Sequence, residues 1–91
     1  MPGLSGTFTV VPVDSQDAAI TLATARRMTA DGTARRLREA NRLSLGDMAR
    51  AVGTSPSTIW RWEQGRGPTG EIGLRYGELL ARLAVLAPGR G

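Results

Sequence analysis

Between Leu43 and Gly67 two short amphipathic patterns are separated by a single glycine, and no other stretch of the 91 residues restricts the fold as tightly. Ser44 stands where it caps a helix, and Asp47, three residues on, supplies the acid of a capping box. Leu45, Met48, Ala49 and Val52 follow at i, i+3, i+4 and i+7, which makes one apolar stripe on a short helix. Gly53 falls where a left-handed residue ends that helix. Thr54 or Ser55 then caps a second helix, and Pro56 suits its first position, where no amide donor is needed. Ile59 and Trp62 are spaced to face the core together, and Gly65 stops this helix after Gln64. Helices so short are marginal alone, so other helices must pack on them.

The outward face of the second helix carries Ser57, Trp60, Arg61 and Gln64. A surface helix is usually polar because water solvates it. Here, however, the residue types are ones that meet base edges: an arginine for guanine, a serine for either partner, an amide for adenine or phosphate. Two short helices, a tight turn and a polar, basic second helix are the layout of a helix-turn-helix DNA reader.

The segments LREANRLSL, DMARAVGTSPSTI and RWEQGRGP, read together from about Ala34 to Leu83, resemble the phage-repressor-type (Xre-like, lambda-repressor-like) helix-turn-helix family. In that resemblance Ala49 takes the place of a small residue between the two helices, Gly53 the turn glycine, Ile59 a core aliphatic, and Trp62, Glu63 and Gly65 a helix-ending W-E-x-G. The resemblance implies a structural ion pair between Glu63 and Arg38, on the helix before the reader. On the outward face the candidates for base contacts are Ser57, Trp60 and Arg61, with Arg61 bidentate to guanine. Ser44, Thr54, Ser55 and Arg66 become the candidates for the phosphate backbone. Two positions depart from the pattern. Leu45 stands where family members usually have a phosphate-contacting Gln, which shifts that role to Ser44 and the backbone amides at the helix start. Trp60 stands where a small polar residue is usual; it lies against a thymine methyl or sugar, meets a protein neighbour, or packs on the chain's own N-terminal segment.

The rest of the chain completes an all-α bundle of about five helices with a short N-terminal extended arm or strand. Residues 1–32 form the arm and an extra helix, residues 33–86 the helix-turn-helix domain, and residues 87–91 a flexible tail. Thr7 to Val13 is β-branched and aromatic and reads as a short strand, demoted to an edge or arm by Pro12. Asp14 to Asp17 is a capping cluster ahead of a helix from Ala18 to Met28, and Asp31-Gly32-Thr33 breaks it. Ala34 to Arg42 is the next helix, with Leu37, Ala40 and Asn41 facing inward. After the two reader helices, Gly70 to Leu86 closes the core through Ile72, Tyr76, Leu79, Leu80, Leu83 and Leu86. Gly73, Gly77 and Ala81 make a small-residue stripe on that helix. It serves close helix approach, across a dimer or within the chain, or merely reflects a glycine-rich composition.

Composition narrows the chemistry. A chain of 91 residues without Cys or His has no thiolate or imidazole metal site, no cysteine nucleophile, no His-based acid–base catalysis and no disulfide framework. No paired carboxylates or nucleophile–base arrangement stands above chance, so the expectation is a non-enzyme without cofactor or metal. No apolar run is long enough to span a bilayer, and nothing at the start of the chain reads as a signal peptide, which fits a prokaryotic or phage-encoded cytoplasmic protein, nucleoid-associated when bound. The net charge is +4 and every one of the twelve basic residues is Arg. Residues 33–66 carry Arg35, Arg36, Arg38, Arg42, Arg50, Arg61 and Arg66 against Glu39, Asp47 and Glu63, a net +4, so the positive excess sits on the helix-turn-helix half.

The expected partner is double-stranded DNA, in a palindromic operator read by a homodimer, and the expected role is a repressor-like transcriptional regulator. Three alternatives stay open. One is an antitoxin whose protein partner docks on the N-terminal arm, and another is a phage accessory or recombination factor. The third is a protein-interaction domain that retains the fold.

Overall fold

The structure is a computed structural model that describes residues 13–87. Its helices are α1 (Val13–Ala30), α2 (Thr33–Ala40), α3 (Leu45–Val52), α4 (Pro56–Arg61) and α5 (Gly70–Leu86), with a wide turn, Trp62–Arg66, continuing from α4. The described residues form an all-α bundle of five helices, with no strand among them. Residues 1–12 and 88–91 lie outside the described residues, and with them nearly all of the expected strand and tail.

The capping signals act where they were read. Ser44 Oγ accepts from the Asp47 amide at 2.9 Å and Asp47 Oδ2 accepts from the Ser44 amide at 2.9 Å, a complete capping box on α3. Gly53 ends α3 at φ 86°, a left-handed conformation that costs glycine little. Ser55, not Thr54, caps α4, its Oγ accepting from the Thr58 amide at 3.3 Å, and Pro56 opens the helix.

Several boundaries and faces differ from expectation. Helix α1 begins at Val13 rather than Ala18, so Val13 is helical and not the end of a strand. The cluster Asp14–Asp17 lies within the opening turns of the helix instead of preceding it. Helix α2 stops at Ala40, short of Arg42, which turns the chain with φ 58°. Ala40 is exposed, whereas Asn41 does point inward: its Nδ2 donates to Leu37 O at 2.8 Å and Ala87 O at 3.1 Å, stitching the end of α2 to the end of α5. Leu86, expected in the core, is 75% exposed.

The core is continuous across the helix-turn-helix half. Leu37, Met48, Val52, Ile59, Tyr76 and Leu80 are fully buried in it, with Trp62 and Leu83 at its margin. Helix α1 packs along α5 and against the wide turn. The small residues of α5 make this possible. A methyl added at Gly77 would lie 2.9 Å from Thr21 Cγ2 and 3.0 Å from the Thr21 carbonyl oxygen. One added at Gly73 would lie 2.9 Å from the Pro68 carbonyl carbon. The glycines of this stripe therefore serve contact within the chain.

This packing outweighs helix propensity at Gly77. Alanine there gains up to about 1 kcal/mol of propensity, but its methyl meets backbone that has to move, a strain of about 1–3 kcal/mol or more. Gly77→Ala should lower the melting temperature by several degrees, read by circular dichroism. A higher melting temperature would show that α1 does not press on α5 at this point.

Candidate nucleic-acid interface

Helix α4 has only six residues and cannot hold its own orientation. Its inner side is fixed by burial of Ile59 and, one turn on, of Trp62, which stacks at a tilt on Tyr76 with ring centroids 5.0 Å apart. The wide turn that follows relies on Gly65, at φ 102°.

Behind this turn the structure brings Arg38 and Glu63 together. Arg38 Nε donates to Glu63 Oε2 at 2.7 Å and Nη2 to Oε1 at 3.0 Å, while Nη1 donates to the Leu43 carbonyl at 3.1 Å. The Glu63 side chain is 3% exposed and that of Arg38 12%, so the pair is shielded from water and salt. The hydrogen bond to Glu63 holds the Arg38 guanidinium even more firmly protonated than usual. Tyr76 lies near both. Its hydroxyl is buried without a hydrogen-bond partner among the described residues, and burial pushes its pKa well above the ordinary phenol value.

The outer side is open. Ser57, Trp60, Arg61 and Gln64 are all exposed, Trp60 at 52%. Trp60, Arg61, Gln64, Gly65 and Arg66 line an open hollow of about 410 Å³. Arg61 Nη2 donates to Thr58 Oγ1 at 3.3 Å, and Thr58 Oγ1 lies 3.1 Å from Ser55 Oγ, so a hydroxyl chain steadies the guanidinium without neutralising it. Arg61 and Arg66 make no ion pair among the described residues, whereas Arg35 and Arg50 are paired with Glu39 and Asp47. Uncompensated positive charge is thus carried at the end of α4 and its turn.

The phosphate candidates fall into three situations. Arg66 is exposed on the rim of the hollow. Thr54 has its amide engaged by the Ala49 carbonyl at 2.9 Å, and Ser55 is occupied as a cap. At Ser44 the capping box uses the amides of Ser44 and Asp47, leaving those of Leu45 and Gly46 at the helix start. Hydrogen bonding from Ser44 holds the Asp47 carboxyl below the usual carboxylate range, so a negative charge stands beside these amides.

A contact that sequence reasoning missed supports the site from behind: Arg26 Nε on α1 donates to the Pro68 carbonyl at 2.8 Å, just beyond the wide turn. Pro68 itself is fully buried. No local pattern announces a bond spanning 42 residues.

Comparison with known proteins settles the class of this arrangement. The family model for the helix-turn-helix domain matches residues 32–87. The chain belongs to the helix-turn-helix domain family. A curated relative from Methanocella arvoryzae, named there as a candidate HTH-type transcriptional regulatory protein, is 46% identical over 48 residues. That match covers 53% of this chain and 15% of the relative, so the likeness concerns one segment of a much longer protein. No solved structure matches the chain. Within the helix-turn-helix unit, α3 and α4 are the two helices, Gly53 lies in the turn, and α1 lies outside the matched residues. Among the described residues no group of three or more His, Cys, Asp or Glu is placed to hold a metal, and no helix is long and apolar enough to cross a membrane.

Arg38→Leu leaves the Glu63 carboxylate buried without its partner and should destabilise the fold by about 3–5 kcal/mol. Arg38→Leu combined with Glu63→Leu should be more stable than Arg38→Leu alone, as measured by urea denaturation. A cost for Arg38→Leu below about 1 kcal/mol, the range of an exposed pair, would mean that water replaces the guanidinium.

Proposed function

We propose that this helix-turn-helix protein is a sequence-specific double-stranded DNA-binding regulator of transcription, repressor-like in output, that places α4 in the major groove. The observation that carries the reading is the two-sided construction of the reader. The inner side is locked by Ile59, Trp62 and the Glu63–Arg38 pair, and the outer side presents Ser57, Trp60, Arg61 and Gln64 to solvent.

On this reading Arg61 makes a bidentate contact to guanine, the pairing its fork geometry fits. Ser57 and Trp60 read beside it, Trp60 against a thymine methyl or a sugar. Arg66, Thr54, Ser55 and Ser44 contact phosphates, Arg66 supplying the charge. At α3 the Asp47 carboxylate is paired with Arg50, whereas Arg66 makes no ion pair among the described residues, so Arg66 carries more of the electrostatic affinity than the uncharged Ser44. A homodimer reads a palindromic site with half-sites about 34–36 Å apart. Such a regulator works in the cytoplasm and needs no catalytic chemistry.

One observation favours a second reading. A half-exposed indole at the centre of the outer face is also what a protein-binding hot spot looks like, which would make this a protein-interaction domain that retains the fold, with this face as its docking surface.

Selection of bound duplexes from a random pool separates the two. The expected result is an enriched palindrome whose recognition in Arg61→Ala is relaxed at one base pair per half-site, at a cost of about 1–3 kcal/mol. An unchanged base preference in that variant removes Arg61 from the reading role, and the absence of any enriched sequence favours the protein-docking face. Arg66→Ala should weaken all duplexes alike and reduce the slope of log K against log salt by about 1 per half-site. Loss of the best site alone would instead assign Arg66 to base reading.

A further inference from the structure

Helix α1 carries an exposed stripe that the bundle does not use. Asp17, Ile20, Thr24 and Arg27 fall at i, i+3, i+7 and i+10, on one face of the helix, and all four are exposed. Ile20 is 65% exposed, unusual for an isoleucine in a helix already packed on α2, α5 and the wide turn. Beside it runs a groove of about 160 Å³ between α1 and α5, bounded by Thr21, Thr24, Met28, Gly77 and Ala81 with almost wholly apolar walls. A cavity of about 150 Å³ admits a benzene ring, so this one has room for a branched aliphatic side chain. The apolar surface continues along α5, where Val85, two turns beyond Gly77 on the same stripe, is 82% exposed.

The charges on the stripe indicate what covers it. Ile20 and Thr24 are symmetric about position 22, and Asp17 and Arg27 are symmetric about that same position. Laid antiparallel on a second α1 across a two-fold axis at that point, the helix brings each Asp17 opposite an Arg27. The acidic end wants a cation: Asp17 and Glu78 line one open hollow, with no Arg among its lining residues. Neither Asp17 nor Arg27 has an ion-pair partner among the described residues. One acid and one base equidistant from an apolar centre form a self-complementary pattern, the requirement of an isologous interface.

We propose that the occupant of this groove is a second copy of the chain. Two α1 helices pair antiparallel, the Ile20 of each copy enters the α1/α5 groove of the other, and Asp17–Arg27 ion pairs close both ends. The proposal names the surface of the homodimer put forward above and rests on that dimeric reading. Because α1 also holds the exit of the reading turn through Arg26 and Pro68, this interface is joined directly to the DNA-reading unit.

Sedimentation of the full chain over a range of concentrations tests it. The wild type should be a dimer. Ile20→Arg should raise the dimer dissociation constant by about 30-fold or more, the range of an interface hot spot, with helical content and the monomer's melting temperature kept. Asp17→Arg and Arg27→Asp should each weaken the dimer by about tenfold, and combining them should restore most of it. A wild type that stays monomeric overturns the proposal. So does a dimer indifferent to Ile20→Arg, which would place the interface elsewhere. A lowered monomer melting temperature in Ile20→Arg also overturns it, because the chain's own N-terminal segment would then be the cover. A duplex bearing a single half-site keeps the two readings apart. If the wild type and Ile20→Arg dimerise as stated but neither binds it, the DNA reading falls and the dimer surface stands.

Discussion

The fold turns on one desolvated ion pair. The Glu63 carboxylate is withdrawn from water, and Arg38 meets it with two parallel hydrogen bonds. The same guanidinium holds the Leu43 carbonyl, so a single planar group ties together α2, the turn before α3 and the turn after α4. Lysine, with one rotatable ammonium, could not reproduce that fork. The pair adds less net energy than a well-packed apolar substitute would, because both ions lose their hydration. What it supplies is position. A six-residue helix has almost no intrinsic stability, and its direction is whatever its neighbours impose.

Imposed direction explains how chemistry is divided between the two sides of α4. Every strong interaction lies on the inner side: buried Ile59, the Trp62–Tyr76 stack and the ion pair. On the outer side Arg61 donates one long hydrogen bond to Thr58 Oγ1, which in turn lies 3.1 Å from Ser55 Oγ. Side chains there are free to re-pair with a ligand without disturbing the core, and the steadied guanidinium loses less rotamer freedom when it does so.

Features encoded within a few residues were legible in the sequence. Ser44 with Asp47, Gly53, and Ser55 with Pro56 are local signals, and each marks the boundary it was read to mark. The stripe Met48, Ala49, Val52 was legible for the same reason, since helical spacing alone determines it. The α1 start was misplaced because acids both precede helices and populate their first turns, and composition does not distinguish the two uses. Periodicity places Leu86 in the core with Leu83, but only Leu83 is buried, and Leu86 at the end of α5 is 75% exposed. The Arg26–Pro68 and Asn41–Ala87 bonds join residues more than forty positions apart, where no single-sequence pattern reaches. At the candidate interface the residues on each side of α4 could be sorted from spacing. The occupation of Ser44 and Ser55 by capping, which constrains their use toward phosphate, required coordinates.

The family boundary and the folding boundary do not coincide. The matched segment begins at residue 32, after α1 has ended. Yet α1 covers Gly73 and Gly77, buries Ala25 and Thr29, and holds Pro68. Cut at the homology limit, the remaining helices would bare Gly77 in the middle of α5, strip Leu22 from Gly73 and leave the Pro68 carbonyl without its Arg26 donor. A chimera designed to move this reader to another protein therefore has to carry residues 13–31 with it. The portable unit is larger than the recognisable one.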